Sequence, residues 1–249
     1  FDGDKLDIWV GSQIPMGALR LAAATSGLKP ENITVHNHFL GGGFGRRGNN
    51  DEMRQAILVA KEVGKPVKLL WTREEDMTHD RYRPQAAVRL KPALGPDGMP
   101  VAFDARIAVG SIQRSIGMNK VPNGIEPQAV EGIANTQYKI PNVNVGVMLK
   151  NTHIPVGYWR SVGSSQNAFF MESYIDELAH AAGKDPYQFR RALLAHRSDF
   201  VGVLDKIAEK GDWGKPLPAR RGRGIAIHEC YGTIVGQVAE VTVSRKGEV

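Results

Sequence analysis

Residues 33–53 read ITVHNHFLGGGFGRRGNNDEM, and the fold turns on how that run is parsed. Ile33 and Val35 alternate with polar neighbours, the pattern of a half-buried strand over residues 32–40. Five glycines then fall within the eight residues Gly41–Gly48, which lets the backbone come close to a flat or anionic group. Asn49 or Asn50 can cap a helix whose first turn carries Asp51 and Glu52. Its apolar positions, Met53, Ile57, Ala60 and Val63, recur on facing turns until Gly64 stops it. Strand, glycine loop and helix start in that order make an anion site in principle, because loop amides and a helix N-terminus both favour negative charge. Gly43, Gly45 and Gly48 also satisfy G-x-G-x-x-G, the dinucleotide pattern. The acid that should follow about 20 residues on, at the end of the next strand, is not there, since Glu74 and Glu75 follow that strand but lie nearer about 30 residues on. A tight turn with no ligand is the plain alternative.

Outward from this run, residues 5–10 read as a strand, Gly11-Ser12-Gln13 as a loop, and residues 16–26 as a helix. Residues 66–72 have the apolar density of a buried strand. Two strand-like runs around Gly95-Pro96-Asp97-Gly98 predict a hairpin over residues 86–110, because that tetrapeptide is turn chemistry. Residues 111–134 are loop, dotted with glycine and proline, and 143–149 alternate like another strand. Residues 164–182 then form a long amphipathic helix with Phe169, Ile175, Leu178 and Ala182 as inward candidates and Glu172, Asp176 and Glu177 on a solvated edge. Asp185-Pro186 carries the signature of a capped helix start. A third helix covers 200–210, and strands at 224–228 and 235–244 close the run. The class is α+β, with mixed sheets and packed helices, and the change of character near 151–163 divides it into residues 1–155 and 156–249.

Composition narrows the function. The 249 residues are 42% hydrophobic and 23% charged, and 28 glycines with 14 prolines fall below the low-complexity range. No apolar run approaches the roughly 18 residues of a bilayer crossing, and the single cysteine, Cys230, can form no internal disulfide. The net charge of +6 comes from 32 basic and 26 acidic residues. The basic residues are scattered apart from Arg46-Arg47 and Arg220-Arg221-Gly222-Arg223, with no aromatic-interleaved stripe, so nucleic acid is a poor partner. The chain opens on Phe1 and closes on an alternating run that turns at Gly247-Glu248. Both ends are expected to be cuts through a larger protein.

A second chemistry-bearing stretch is Pro155-Val156-Gly157-Tyr158-Trp159-Arg160-Ser161-Val162-Gly163. An arginine between aromatics and glycines can fork onto a phosphate or a ring-edge oxygen, although Trp159 as a core anchor with Arg160 paired to a carboxylate explains it equally. His36 and His38 share a strand face and could hold a metal, but two ligands without a third more often mean ordinary strand histidines. His228, Glu229 and Cys230 alternate across a strand, and Cys230 reads as a small hydrophobe rather than a nucleophile. No Ser-His-Asp signature, Walker loop or C-x-x-C is present.

Taken together, Trp9-Val10-Gly11-Ser12-Gln13, Gly41-Gly42-Gly43-Phe44-Gly45 and Gly157-Tyr158-Trp159-Arg160-Ser161-Val162-Gly163 resemble, in order and spacing, the molybdenum-binding large subunit of the xanthine dehydrogenase and aldehyde oxidase family. The Arg160 stretch and Glu172-Ser173-Tyr174-Ile175-Asp176-Glu177-Leu178-Ala179 are most similar to the isoquinoline 1-oxidoreductase β-subunit branch and its membrane-linked aldehyde dehydrogenase relatives. The resemblance implies a fragment of a molybdopterin-binding domain, with residues 1–155 the first part and 156–249 a helical segment leading into the second. It implies a bacterial molybdenum hydroxylase that oxidises an N-heteroaromatic or aldehyde substrate with oxygen from water. The cofactor would be molybdopterin, in its cytosine dinucleotide form, carrying molybdenum. Electrons would leave through a small 2Fe-2S subunit, with a cytochrome c subunit as a further partner, in the cytoplasm or at a periplasmic membrane face. Such a cofactor carries the difficult chemistry while protein groups position and tune it.

Carried over residue by residue, Gln13 matches the glutamine that hydrogen-bonds an oxygen on molybdenum. Gly42, Gly43, Phe44 and Gly45 match the loop whose backbone lies against the metal and its dithiolene, and Arg160 matches the arginine beside the cofactor. The purine-oxidising branch has Gly-Lys-Glu where Arg46-Arg47-Gly48 stand here, so purine is a poor substrate. Val162 replaces that branch's second aromatic. The family's base glutamate, in a Gly-Glu-Pro-type segment, has no counterpart among these residues, and Gly247-Glu248 is not that segment. This stretch alone is therefore expected to be inactive and to hold the cofactor weakly or not at all. The competing expectations are a nicotinamide dinucleotide dehydrogenase using Gly43, Gly45 and Gly48, and a non-catalytic binding or assembly domain.

Overall fold

A computed structural model describes residues 1–118 and 121–249. The α+β class with mixed sheets and packed helices is what it contains. The chain divides into two compact units, each assembled from separate stretches. One comprises residues 1–84, 110–121 and 151–160, the other 85–109, 122–150 and 161–249. Asn119 and Lys120, within the stretch read as loop, lie outside the described residues.

In the first unit, β1 (Leu6–Val10), α1 (Pro15–Ser26) and β2 (Ile33–Asn37) form a β-α-β crossover. The two strands pair in parallel from Leu6 opposite Ile33 to Val10 opposite Asn37. Alternation sends Leu6, Ile8 and Ile33 inward, where they meet Ala18 and Ala22 of α1 and Met53 and Ile57 of α2 (Asp51–Val63). Gly64 ends α2 in the left-handed conformation, its N–H bonded to the carbonyl of Ala60. Val63, expected on the inner face, is instead exposed.

Residues 66–72 depart from expectation. They form no strand and pair with none among the described residues, and Leu70 is 77% exposed. An apolar run signals burial without naming a ladder partner, and a strand exists only with one. The helix that follows, α3 (Arg73–His79), adds to the expected elements, and its signal is local: the Thr72 hydroxyl caps the Glu75 N–H at 3.2 Å, and Glu74, Glu75 and Asp76 fill the first turn. A short helix, α4 (Ile112–Ser115), interrupts the stretch read as loop, with Ser111 as its cap.

In the second unit, β3 (Ala86–Leu94) and β4 (Pro100–Val109) form the expected hairpin, and β5 (Asn142–Leu149) adds to β4 in parallel. After α5 (Pro127–Val130) come three helices: α6 (Ser164–Ala181), α7 (Pro186–Leu193) and α8 (Ser198–Lys210). Asp185 caps α7 by accepting from the Gln188 N–H at 2.9 Å, with Pro186 in the first turn. An antiparallel pair, β6 (Arg221–Cys230) and β7 (Thr233–Thr242), completes the unit. Its core joins Phe103, Ala105 and Ile107 of β4 to Met171, Ile175 and Leu178 of α6, Phe189, Leu204, and Ile225 and Ile227 of β6.

On α6 the buried stripe is Met171, Tyr174, Ile175, Leu178 and Ala179, the i, i+3, i+4, i+7, i+8 spacing of one helix face. Two assignments made for this helix are corrected by it. Phe169 falls outside the stripe and is 69% exposed, whereas Glu172, read as part of a solvated edge, is buried at 7%. An acid can face inward there because its charge is met by Arg190, which is wholly buried.

Candidate cofactor site

Parallel pairing of β1 and β2 puts the loops at their C-terminal ends side by side, the usual position for a ligand in such sheets. The loop after β1 is pinned by Ser12, whose N–H bonds the Asn37 side chain at 2.8 Å, and by the Gln13 N–H, which bonds the Arg47 carbonyl at 3.0 Å. Gln13 then reaches the glycine loop. Its Oε1 accepts from the Gly45 N–H at 3.0 Å, which leaves the Gln13 amide NH2 to donate elsewhere. Any side chain at Gly43 would occupy the space of Gln13.

The loop bends sharply between Gly42 and Gly45. Phe44 takes φ 51 and Gly45 φ 91, and a non-glycine residue held in that region carries strain of order 1–3 kcal/mol. A Cβ on Gly45 would lie 2.8 Å from the Tyr158 carbonyl oxygen. The backbone of the Arg160 stretch therefore packs directly against the bend. That stretch is tied down by Tyr82, which donates to Pro155 at 2.9 Å and accepts from Gly157 at 3.0 Å. The Trp159 indole adds a bond to the Arg81 carbonyl at 2.9 Å, and the Arg160 carbonyl accepts from Arg83 at 3.0 Å.

The structure thus gathers Gln13, Gly42–Gly45 and the backbone of Tyr158 and Trp159 at one place. The Arg160 side chain is exposed. A cleft of about 420 Å³ beside the bend is lined by Gly42, Gly43, Phe44, Arg46, Trp71 and Trp159 among others, and Arg160 is not part of its wall. The amides of Gly42, Gly43 and Phe44 donate to no described residue.

The dinucleotide reading of Gly43, Gly45 and Gly48 fares badly against this geometry. The glycine loop follows β2 rather than β1, and residues 46–48 form a 3-10 turn. The first turn of α2 is already filled by Asp51 and Glu52, whose carboxylates meet Arg81, Arg46 and Arg47. A phosphate at that helix end would displace two acids. His36 likewise has local partners: its Nε2 lies 2.8 Å from Asp7, and its ring stacks on Trp9 at 4.6 Å.

In the second unit a smaller cavity of about 290 Å³ is lined by Glu131, Tyr138, Glu172, His228 and Cys230 among others. Here sequence reasoning missed an organised polar cluster. Glu172 accepts from Arg190 Nε at 2.9 Å, from the Tyr138 hydroxyl at 2.7 Å and from the Ile227 N–H at 3.0 Å, while Arg190 also binds Asp176. Burial pushes the Glu172 carboxyl above its ordinary range, and Arg190 pulls it back. Burial also raises Glu131, whose carboxylate accepts from the Ser164 N–H at the start of α6, and lowers His228, whose Nε2 is buried with no hydrogen-bond partner among the described residues. Cys230 is half-buried.

Residues 1–194 match the family model described as the molybdopterin cofactor-binding domain, and the chain belongs to that family. Among curated proteins it is 28% identical to the isoquinoline 1-oxidoreductase subunit beta of Brevundimonas diminuta, over 96% of this chain and 31% of that protein. It is 31% identical to the membrane-bound aldehyde dehydrogenase [pyrroloquinoline-quinone] of Gluconacetobacter polyoxogenes, over 88% of this chain and 31% of the relative. Quinoline 2-oxidoreductase from Pseudomonas putida 86 shares its fold with a TM-score of 0.74, at 20% identity over 89% of this chain and 31% of that one. The chain therefore spans about a third of the length of these relatives.

Proposed function

We propose that this chain is the molybdopterin-holding part of a bacterial molybdenum hydroxylase that oxidises an aldehyde or an N-heteroaromatic ring with oxygen drawn from water. Residues 1–155 supply the first part of the molybdopterin-binding region and 156–249 lead into the second. The observation that carries the reading is the Gln13–Gly45 hydrogen bond with the Tyr158 carbonyl packed behind Gly45. It assembles three separated motifs into one surface of donors.

Those donors fit the group. Three loop amides with no acceptor among the described residues and the Gln13 NH2 all present N–H bonds, and the absence of side chains at Gly42, Gly43 and Gly45 lets the loop close against Phe44, Gln13 and Tyr158. When bound, the molybdenum–pterin group supplies the two-electron oxidation itself. The chain's own part is to orient. Gln13 would donate to an oxygen on the metal, the Phe44–Gly45 backbone would lie along the dithiolene, and Arg160 would balance negative charge beside the pterin. We further propose that the pterin is in its cytosine dinucleotide form, that electrons pass to a 2Fe-2S subunit and a cytochrome c subunit, and that this stretch alone is inactive. The enzyme would work in the cytoplasm or at a periplasmic membrane face. Among the described residues no helix is long and apolar enough to cross a membrane.

Metal analysis of the full-length protein tests the reading, joined to oxidation assays on isoquinoline-type heterocycles and aldehydes. Stoichiometric molybdenum with turnover supports it. A bound dinucleotide without metal would favour the dehydrogenase, and neither would favour a binding domain. Gln13→Ala should lower kcat at least tenfold with molybdenum retained.

A further inference from the structure

The arginines after the glycine loop look, in sequence, like extra positive charge for an anionic ligand. Their partners say otherwise. The Arg46 side chain is only 12% exposed, its Nε bonds the Asp80 carboxylate, and its Nη1 donates to the Asn49 carbonyl at 2.8 Å. Its Nη2 lies 3.6 Å from Asp51 and 3.7 Å from Glu52, and the guanidinium sits 5.7 Å from the centre of the Trp71 ring. Arg47 pairs with Glu52 at 2.7 Å. Arg81 forks onto Asp51 at 3.0 and 3.1 Å and donates to the Ser115 carbonyl at 3.2 Å, while its own N–H bonds Asp80 at 2.6 Å.

These links run from one motif to the other. Arg46 begins where the bend ends, its own N–H bonded to the Gly43 carbonyl at 2.9 Å. Asp80 joins it to Arg81, and the Arg81 carbonyl receives the Trp159 indole at 2.9 Å. Gly157 is packed so closely on Arg81 that a Cβ there would lie 2.9 Å from the arginine's own Cβ. Arg46, Arg47 and Arg81 face Asp51, Glu52 and Asp80, so the charges within the cluster cancel. A planar guanidinium with five fixed donors can serve this many acceptors at once, and an ammonium cannot.

We propose that Arg46, Asp80 and Arg81 form a charge-balanced brace that positions the Phe44–Gly45 bend against Tyr158–Arg160. Arg46 thus sets the geometry of the loop, its charge met by Asp80, Asp51 and Glu52. The inference rests on the molybdopterin reading only for what the bend is for, and the brace itself is testable without the cofactor.

The experiment compares full-length wild type with Arg46→Lys, Arg46→Gln, Asp80→Asn and the Arg46→Gln/Asp80→Asn pair. Hydrogen exchange is read by mass spectrometry over residues 41–48, with residues 15–26 as an internal control, and molybdenum per chain is read by elemental analysis. Arg46→Lys keeps the charge but loses the fork, so exchange over 41–48 should speed up tenfold or more while 15–26 stays unchanged, and molybdenum should fall at least threefold. Arg46→Gln should be worse than the double variant, because removing both charges restores the balance. Wild-type exchange in Arg46→Lys would overturn the brace. So would equal acceleration in the control helix, or a double variant no better than Arg46→Gln. If wild type itself carries no molybdenum, the cofactor reading fails while the exchange data still judge the brace.

Discussion

The two units hold their charged groups in opposite ways. In the first, the arginines stand at the rim of a small core made of Leu6, Ile8, Ala18, Ala22, Ile33, Met53 and Ile57, and side chains such as Asp51 and Arg47 remain 34% and 47% exposed. In the second, Arg190 is fully enclosed by a larger core and meets Glu172, Asp176 and two backbone carbonyls. A partly solvated cluster can hold a loop in place and still let it adjust to a ligand. A buried one fixes packing and tolerates no missing partner. The unit with the smaller core carries the candidate cofactor surface, and a deformable binding loop belongs at the less stable end of a molecule.

The sharpest way to break the contrast is Arg190→Ala. It strands the Glu172 carboxylate among Tyr138, Ile227 and the core, and should cost about 3–5 kcal/mol in chemical denaturation. A loss under about 1 kcal/mol would mean that the buried cluster is no more demanding than the rim. Gly45→Ala tests the other unit. With φ at 91 and the Tyr158 carbonyl 2.8 Å from the new Cβ, it should cost about 1–3 kcal/mol. Its damage should be local, seen as faster hydrogen exchange over residues 41–48 with the second unit unchanged. Trp9, Trp71 and Trp159 lie in the first unit and Trp213 in the second, so replacing Trp213 makes fluorescence a report on the first unit alone.

A smaller effect sharpens the comparison by pH. Burial lowers the His228 pKa below its ordinary 6.5, so between that lowered value and 6.5 the unfolded chain binds the extra proton. Stability should therefore be lost as pH falls through this window and be complete above 6.5. His228→Gln should flatten the slope in denaturation series from pH 7 to 5, and an unchanged slope would assign it to other groups. Smallest of all, Lys206→Ala removes a bond of 3.0 Å to Glu209 between side chains that are each more than half exposed. It should change stability by less than about 0.5 kcal/mol.

What the sequence determined by itself was local in origin. The strand at Leu6–Val10, the turn at Gly95–Gly98, the Asp185-Pro186 helix start and the glycine loop ahead of α2 each follow from periodicity, capping or turn chemistry within a few residues. Family wording in the Gln13, Phe44 and Arg160 stretches was legible for the same reason. Tertiary structure alone decided which charges meet. Arg46 and Asp80 are 34 residues apart, Glu172 and Ile227 are 55 apart, and Gln13 and Gly45 are 32 apart. No periodicity couples positions so distant, so Glu172 read as solvated and residues 66–72 as a buried strand. A side chain's burial and charge depend on what the folded chain brings against it, and that is a property of the packed whole.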